Sequence, residues 1–104
     1  MRTAKVFVGN VEVGTFSELE FGKKYRFEYL EGYSGAPVSL TMPKSQLVYG
    51  FDSFPPFFDG LLPEGYQLEG LLKIGKIDRN DLFSQLIAVG DDLVGNVTLK
   101  VSTT

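Results

Sequence analysis

The sequence predicts an α+β fold, with a mainly antiparallel sheet of about five strands packed with about three short helices. Two observations predict it. Short runs of β-branched and aromatic residues alternate with polar ones near both ends of the chain. Between them, Phe and Leu recur at helical spacing, in groups bounded by Pro, Gly or Asp. At 104 residues the chain is read as a single domain, 1–104, with room for one modest core.

Lys5-Val6-Phe7-Val8 and Val11 to Phe16 are strand-like runs separated by Gly9-Asn10, which is tight-hairpin chemistry. The two-residue period sets Val11, Val13 and Thr15 on one face and Glu12 on the other. Gly14, inside the second run, predicts a bulge or a close backbone approach. Ser17 to Gly22 is polar and reads as a loop. Tyr25, Phe27 and Tyr29 then alternate with Arg26 and Glu28, the clearest strand signal in the chain. Glu31 to Pro37 is turn-rich. Val38 to Met42 reads as a further strand closed by Pro43, and Lys44 to Phe51 as a loop.

The first helix is expected near Ser53, a plausible N-cap, and through the double proline, because prolines fit a first helical turn. Phe54, Phe57, Phe58, Leu61 and Leu62 fall on one helical face, and Pro63 ends it. Glu64-Gly65 opens a second helix with Leu68, Leu71 and Leu72 as its stripe and Gly75 as its stop. A third helix runs from Asn80 or Asp81 to Val89. Asp78 or Asn80 would cap it, and Gly90 would end it; Leu82, Phe83, Leu86 and Ile87 form its apolar face. Gly95 to Val101 returns to strand, and Ser102 to Thr104 are expected to fray.

Catalytic chemistry finds few residues to use. There is no His and no Cys, which removes the common neutral-pH base, disulfides, thiolate nucleophiles and the usual metal ligands. Neither glycine-rich phosphate-loop motif occurs, nor a kinase catalytic-loop Asp–Asn pair or Asp-Phe-Gly. Asp91-Asp92 offers too few ligands for calcium and reads as turn chemistry after a helix end. No cofactor and no metal is expected, and the chain is read as a non-enzyme. The net charge of −3 gives no basic footprint for nucleic acid, and Lys23-Lys24 reads as a solvated turn. The N-terminus lacks a signal-peptide pattern, and no run reaches the ~20 apolar residues of a membrane span. A cytoplasmic protein without membrane attachment is expected.

An interface is the alternative to catalysis. Phe54, Phe57 and Leu61 are assigned to the core, while Phe58 and Leu62 are divided between core and partner contact. An apolar excess in a small soluble chain is a mild argument for a binding surface. In Pro63-Glu64-Gly65-Tyr66 a helix junction explains Pro and Gly. Glu64 could serve the next helix dipole, and Tyr66 has the amphipathic build of an interface anchor. The candidate contact residues are therefore Phe58, Leu62, Pro63, Glu64, Gly65 and Tyr66.

Three segments carry a resemblance: Pro37-Val38-Ser39-Leu40-Thr41-Met42-Pro43, Phe57-Phe58-Asp59-Gly60-Leu61-Leu62-Pro63-Glu64-Gly65, and Asp81 through Val97. In order and spacing they resemble the N-terminal subdomain of the HipA-like serine/threonine kinases, toxins of bacterial toxin–antitoxin pairs. The resemblance runs from about Val6 to Val101, and the sequence is expected to end where the kinase core of those proteins begins. It is similar to the free-standing HipS-type subunits of three-gene HipBST loci. The resemblance implies an antitoxin-like regulatory subunit whose partner is a HipA-like kinase toxin (HipT-like) that lacks this subdomain. A helix-turn-helix HipB-like protein would join through the complex, without direct nucleic-acid contact by this chain. The second reading is a non-inhibitory structural subunit of a split kinase. Since the active full-length kinases also carry this subdomain, something particular to the free-standing form must differ. Glu31 to Pro37, Tyr49 to Phe51 and Tyr66-Gln67 are the candidates.

Overall fold

The computed structural model describes residues 1–90 and 97–101. The opening runs form β1 (Arg2–Val8) and β2 (Val11–Glu20), an antiparallel pair turning at Gly9, whose φ of 63° suits a residue without a Cβ. The register shifts between Val6, opposite Gly14, and Phe7, opposite Glu12, which leaves Val13 as the extra residue of a bulge. The bulge breaks the expected face of Val11, Val13 and Thr15. Val13 and Gly14 are both buried, Val11 is exposed, and Phe16 takes the core side. The close approach expected at Gly14 is present: a Cβ there would stand 2.3 Å from the Glu28 carbonyl oxygen.

The segment from Ser17, expected as a loop, is strand as far as Glu20. Its polar residues have partners distant in sequence. Ser17 lies between Thr3 and Arg26 on the neighbouring strands, and Glu18 receives Arg2 and Tyr25. β3 (Lys24–Tyr29) follows, with Tyr25, Phe27 and Tyr29 buried as the alternation predicts.

The fourth strand is not where the alternation placed it. Val38 to Met42 is loop, and β4 (Val48–Phe51) lies in the expected loop, paired antiparallel with β3. Tyrosine hydroxyls account for the exchange. Tyr29 donates to the Met42 carbonyl and accepts from the Val38 N–H at 3.0 Å, while Tyr49 donates to the Pro43 carbonyl. These bonds satisfy the Val38 N–H and the Met42 and Pro43 carbonyls outside any ladder, and Met42 drops into the core.

The first helix starts later than expected. α1 (Pro56–Asp59) has Pro55 in extended backbone at its N-cap position, so Ser53 caps nothing there. A residue before proline is biased away from helical backbone, and Phe54 and Pro55 both precede one. The chain then turns through Leu61 and Leu62, whose N–H groups reach the carbonyls of Phe58 and Asp59 at 3.1 Å. α2 (Gly65–Gly75) runs through Gly75, and Lys76 takes the left-handed cap at φ 53°. α3 (Leu82–Ala88) is capped by Asp81, which accepts from the Ser84 N–H at 3.1 Å. Asp78, one of the expected caps, instead closes a turn onto the Asn80 N–H at 2.7 Å.

β5 (Val97–Val101) pairs antiparallel with β1, giving the sheet order β4-β3-β2-β1-β5. The expectations for Asp91-Asp92, for the strand before Val97 and for Ser102 to Thr104 fall outside the described residues. Among the described residues the result is the predicted class, a five-stranded antiparallel sheet with three short helices. Phe16 is the hub of the core. Its ring stacks on Phe58 at 4.1 Å and Phe83 at 5.6 Å, and meets Phe54 edge-on. The other face of the sheet carries Lys5, Thr15, Arg26 and Glu28.

Candidate functional site

The site is a corner where α1 hands over to α2. Phe58, in α1, is 0% exposed and lies among Phe16, Phe27 and Phe57. The partner contact expected for Phe58 is therefore corrected: it is a core residue that supports the corner from beneath. Leu62 packs on the core with one side exposed, and Pro63 is likewise half-buried. Glu64 is exposed extended backbone, and its carboxylate makes no capping bond to the helix that follows. Gly65 holds φ at 61°, a value that favours glycine, and so fixes the angle at which α2 leaves the corner. Tyr66, the second residue of α2, is 90% exposed. Leu62, Pro63, Glu64, Gly65 and Tyr66, consecutive in the chain, form the turn from α1 into α2, with exposure rising from half-buried Leu62 and Pro63 to Tyr66.

α2 is the least anchored helix of the fold. None of its residues is fully buried, and Leu68, Leu71 and Leu72, though half-buried, do not pack on the main core cluster. Its neighbour is α3, and a surface ion pair joins Glu69 to Arg79. Isolated helices below ~12 residues are marginal in water, and each internal glycine weakens them further. The helix holds Gly70 and ends on Gly75. On its outer side Tyr66, Gly70 and Ile74 follow at four-residue spacing. Ile74 is 87% exposed, and the space beyond the Gly70 Cα is open. An exposed aromatic and an exposed aliphatic side chain flanking a glycine notch can receive a protruding apolar side chain.

Ile74 was not among the sequence candidates. It lies outside the Leu68, Leu71, Leu72 stripe by helical period, and that signal was present. Leu40 was missed for a different reason. Read as part of a strand, it stands 95% exposed on the tyrosine-pinned loop. Of the loops singled out above, the Glu31 to Gly35 part of the first lines a groove with Val8 and Val11, and Lys44 Nζ lies 4.8 Å over the Tyr33 ring.

The groups with displaced pKa values sit elsewhere and have structural roles. The Arg2 guanidinium is held above its ordinary value mainly by its hydrogen bonds to Asp81 and, next, to Glu18. Burial opposes the charge on Asp81, but bonds from Arg2 and Ser84 outweigh it and hold the carboxyl below the usual range. Burial first, then the Glu18 carboxylate, pushes the Tyr25 phenol up to about 12. A cleft of about 490 Å³ lies beside this cluster, lined by Arg2, Phe83, Ser84, Ile87 and Val101 among others. Its polar groups are committed: Arg2 to two carboxylates, Ser84 to Asp81. Among the described residues no group of three or more His, Cys, Asp or Glu is placed to hold a metal, and no helix is long and apolar enough to cross a membrane.

Comparison with known proteins agrees with this fold. The family model for the HipA N-terminal domain matches residues 4–100. An uncharacterised protein of Haemophilus influenzae (strain Rd) is 31% identical over 100 residues, spanning 96% of this chain and 92% of that protein. A solved N-terminal domain of HipA toxin superposes with a TM-score of 0.77 at 28% identity, covering 100% of this chain and 95% of that one. What is matched is the N-terminal domain of HipA and not its kinase domain. The sheet order, the α1–α2 corner and these matches lead to one assignment: the chain belongs to the HipA N-terminal domain family.

Proposed function

We propose that this protein is a non-catalytic regulatory subunit. It binds a HipA-like kinase lacking its own N-terminal domain, and neutralises it within a cytoplasmic toxin–antitoxin complex. A helix-turn-helix HipB-like protein would join through that complex. One observation carries the reading: α2 leaves the domain with no fully buried residue and presents Tyr66 at 90% exposure. A domain that ordinarily precedes a kinase in one chain has a ready-made docking face when supplied separately, and loses only the linker's effective concentration. The Haemophilus influenzae relative supports a free-standing form, since this domain spans nearly all of it.

The contact is assigned to Leu62, Pro63, Glu64, Gly65 and Tyr66, extended along α2 by Ile74. Tyr66 combines a large apolar ring with a hydroxyl, the build of a binding hot spot. Glu64, free of capping duty, is available to a cation on the partner. Co-expression with a kinase-core HipA-like toxin tests the proposal, scoring growth and co-purification together. Restored growth with a stable complex supports neutralisation. A stable complex with undiminished toxicity would instead make the chain a structural subunit of a split kinase, and failure to form a complex removes both.

A further inference from the structure

Across the sheet from the helices, the open face carries an unbalanced pair of charges. Lys5 of β1 and Lys100 of β5 stand directly opposite one another in the antiparallel ladder. The next pair in register, Val6 and Leu99, is buried on the core side, so the lysines lie on the open face, and both are exposed. Like charges directly opposite destabilise a strand pair. Among the described residues neither ammonium has a carboxylate within 4.0 Å. Along the row, Thr15 follows Lys5 and Glu28 follows Thr15, while the nearest acid on this face, Glu12, stands opposite Phe7 without pairing to either lysine. The Lys100 ammonium rests 5.6 Å from the centroid of the Phe7 ring, beside a groove of about 250 Å³ lined by Phe7, Gly9, Asn10, Thr98 and Lys100. A chain with a net charge of −3 thus sets two lysines side by side at one edge of the sheet.

We infer that the Lys5–Lys100 face docks an acidic, carboxylate-bearing segment of a partner protein. Two ammonium groups on neighbouring strands can share carboxylates from an extended chain, which would relieve their mutual repulsion. Phe7 holds Lys100 in place and offers an apolar wall to the aliphatic stems of Glu side chains. Duplex nucleic acid is the less favoured occupant, because the rest of the chain would repel a phosphate backbone. The inference is independent of the kinase-binding corner, which lies on the helical side of the sheet.

The probe is fluorescently labelled hexaglutamate, titrated with the full chain at low salt, with hexalysine and a short DNA duplex in parallel. Saturable binding of hexaglutamate is expected, with shifts of the Lys5, Phe7, Thr98 and Lys100 amide resonances. The double variant K5E/K100E should bind about tenfold more weakly. K100E alone should raise the melting temperature of the free protein by about 2 °C, since it replaces a repulsion by an attraction. That opposite movement of affinity and stability separates a docking role from a purely structural one. Absence of hexaglutamate binding, binding unchanged in K5E/K100E, a lowered melting point in K100E, or tighter binding of the duplex would each overturn the inference.

Discussion

Arg2 reaches Asp81 at 2.8 Å, so the first strand is bonded directly to the N-cap of the last helix. The same guanidinium bonds Glu18, and Tyr25 and the Gly22 N–H complete the shell around that buried carboxylate. Arg2→Ala removes the cation from both acids. Because Arg2 is partly exposed, the expected loss is about 2 kcal/mol, below that of a fully buried pair. Urea denaturation of the variant measures it, and a loss under about 0.5 kcal/mol would show the cluster to be ornamental.

The pH dependence follows from Asp81. Its carboxyl is held below its ordinary value of 3.8 in the folded state, so the folded form binds the proton less readily than the unfolded one. The stability it contributes is complete above 3.8 and fades as pH falls through the lowered folded value. Asp81→Asn should flatten the acid limb of a stability–pH curve. Tyr25 acts at the other end. Its pKa is raised from 10.0 to about 12, so its contribution is complete below 10.0 and fades as pH rises toward 12. Thermal melts across both limbs test the two signs separately.

Phe58 and Tyr66 should separate folding from binding. Phe58→Ala opens a cavity under Phe16 and should destabilise the domain by about 3–5 kcal/mol. Tyr66→Ala removes a side chain that is 90% exposed and should alter stability by no more than about 0.5 kcal/mol. On the proposed contact, Tyr66→Ala should weaken kinase binding by about 2 kcal/mol or more, and Ile74→Ser should act in the same direction. Calorimetry with the purified kinase reads affinity. Unchanged binding in a Tyr66→Ala, Ile74→Ser double variant would move the contact off α2.

Gly14→Ala gives a steric test of the bulge. The new Cβ would stand 2.3 Å from the Glu28 carbonyl, which belongs to backbone and cannot swing aside. A loss of about 1–3 kcal/mol is expected in a denaturant melt. Gly50→Ala, where a Cβ meets nothing within 4 Å, is the matched control.

Much of the fold was legible because its signals are local. Gly9-Asn10, the Tyr25-Phe27-Tyr29 alternation and the leucine stripes each act within a few residues. What misled were residues whose reasons lie far along the chain. Ser17 and Glu18 look like loop until Thr3, Arg2 and Tyr25 are placed beside them. Val38 to Met42 alternates like a strand, yet the Tyr29 and Tyr49 hydroxyls take up backbone groups on either side of Met42. At the candidate site, an amphipathic pattern announces that a face will be buried without saying whether by this chain or another. That is why Phe58 and Tyr66 were grouped together, and only the packing of Phe58 on Phe16 and Phe27 divides them.

The last strand pairs with the first, placing Leu99 against Val6, and the Leu99 N–H is met on its outer side by the Gly90 carbonyl at 3.1 Å. This topology sets a timetable for synthesis. While a ribosome is still extending the chain, β1 has one neighbour and one bare edge, and the apolar side of Val6 lacks its cover. The fold can close only after residue 99 has cleared the exit tunnel, so its decisive pairing is also its most distant one, a pattern associated with slow folding. Any partner that engages the nascent chain earlier would meet an open sheet, and the completed domain only afterwards.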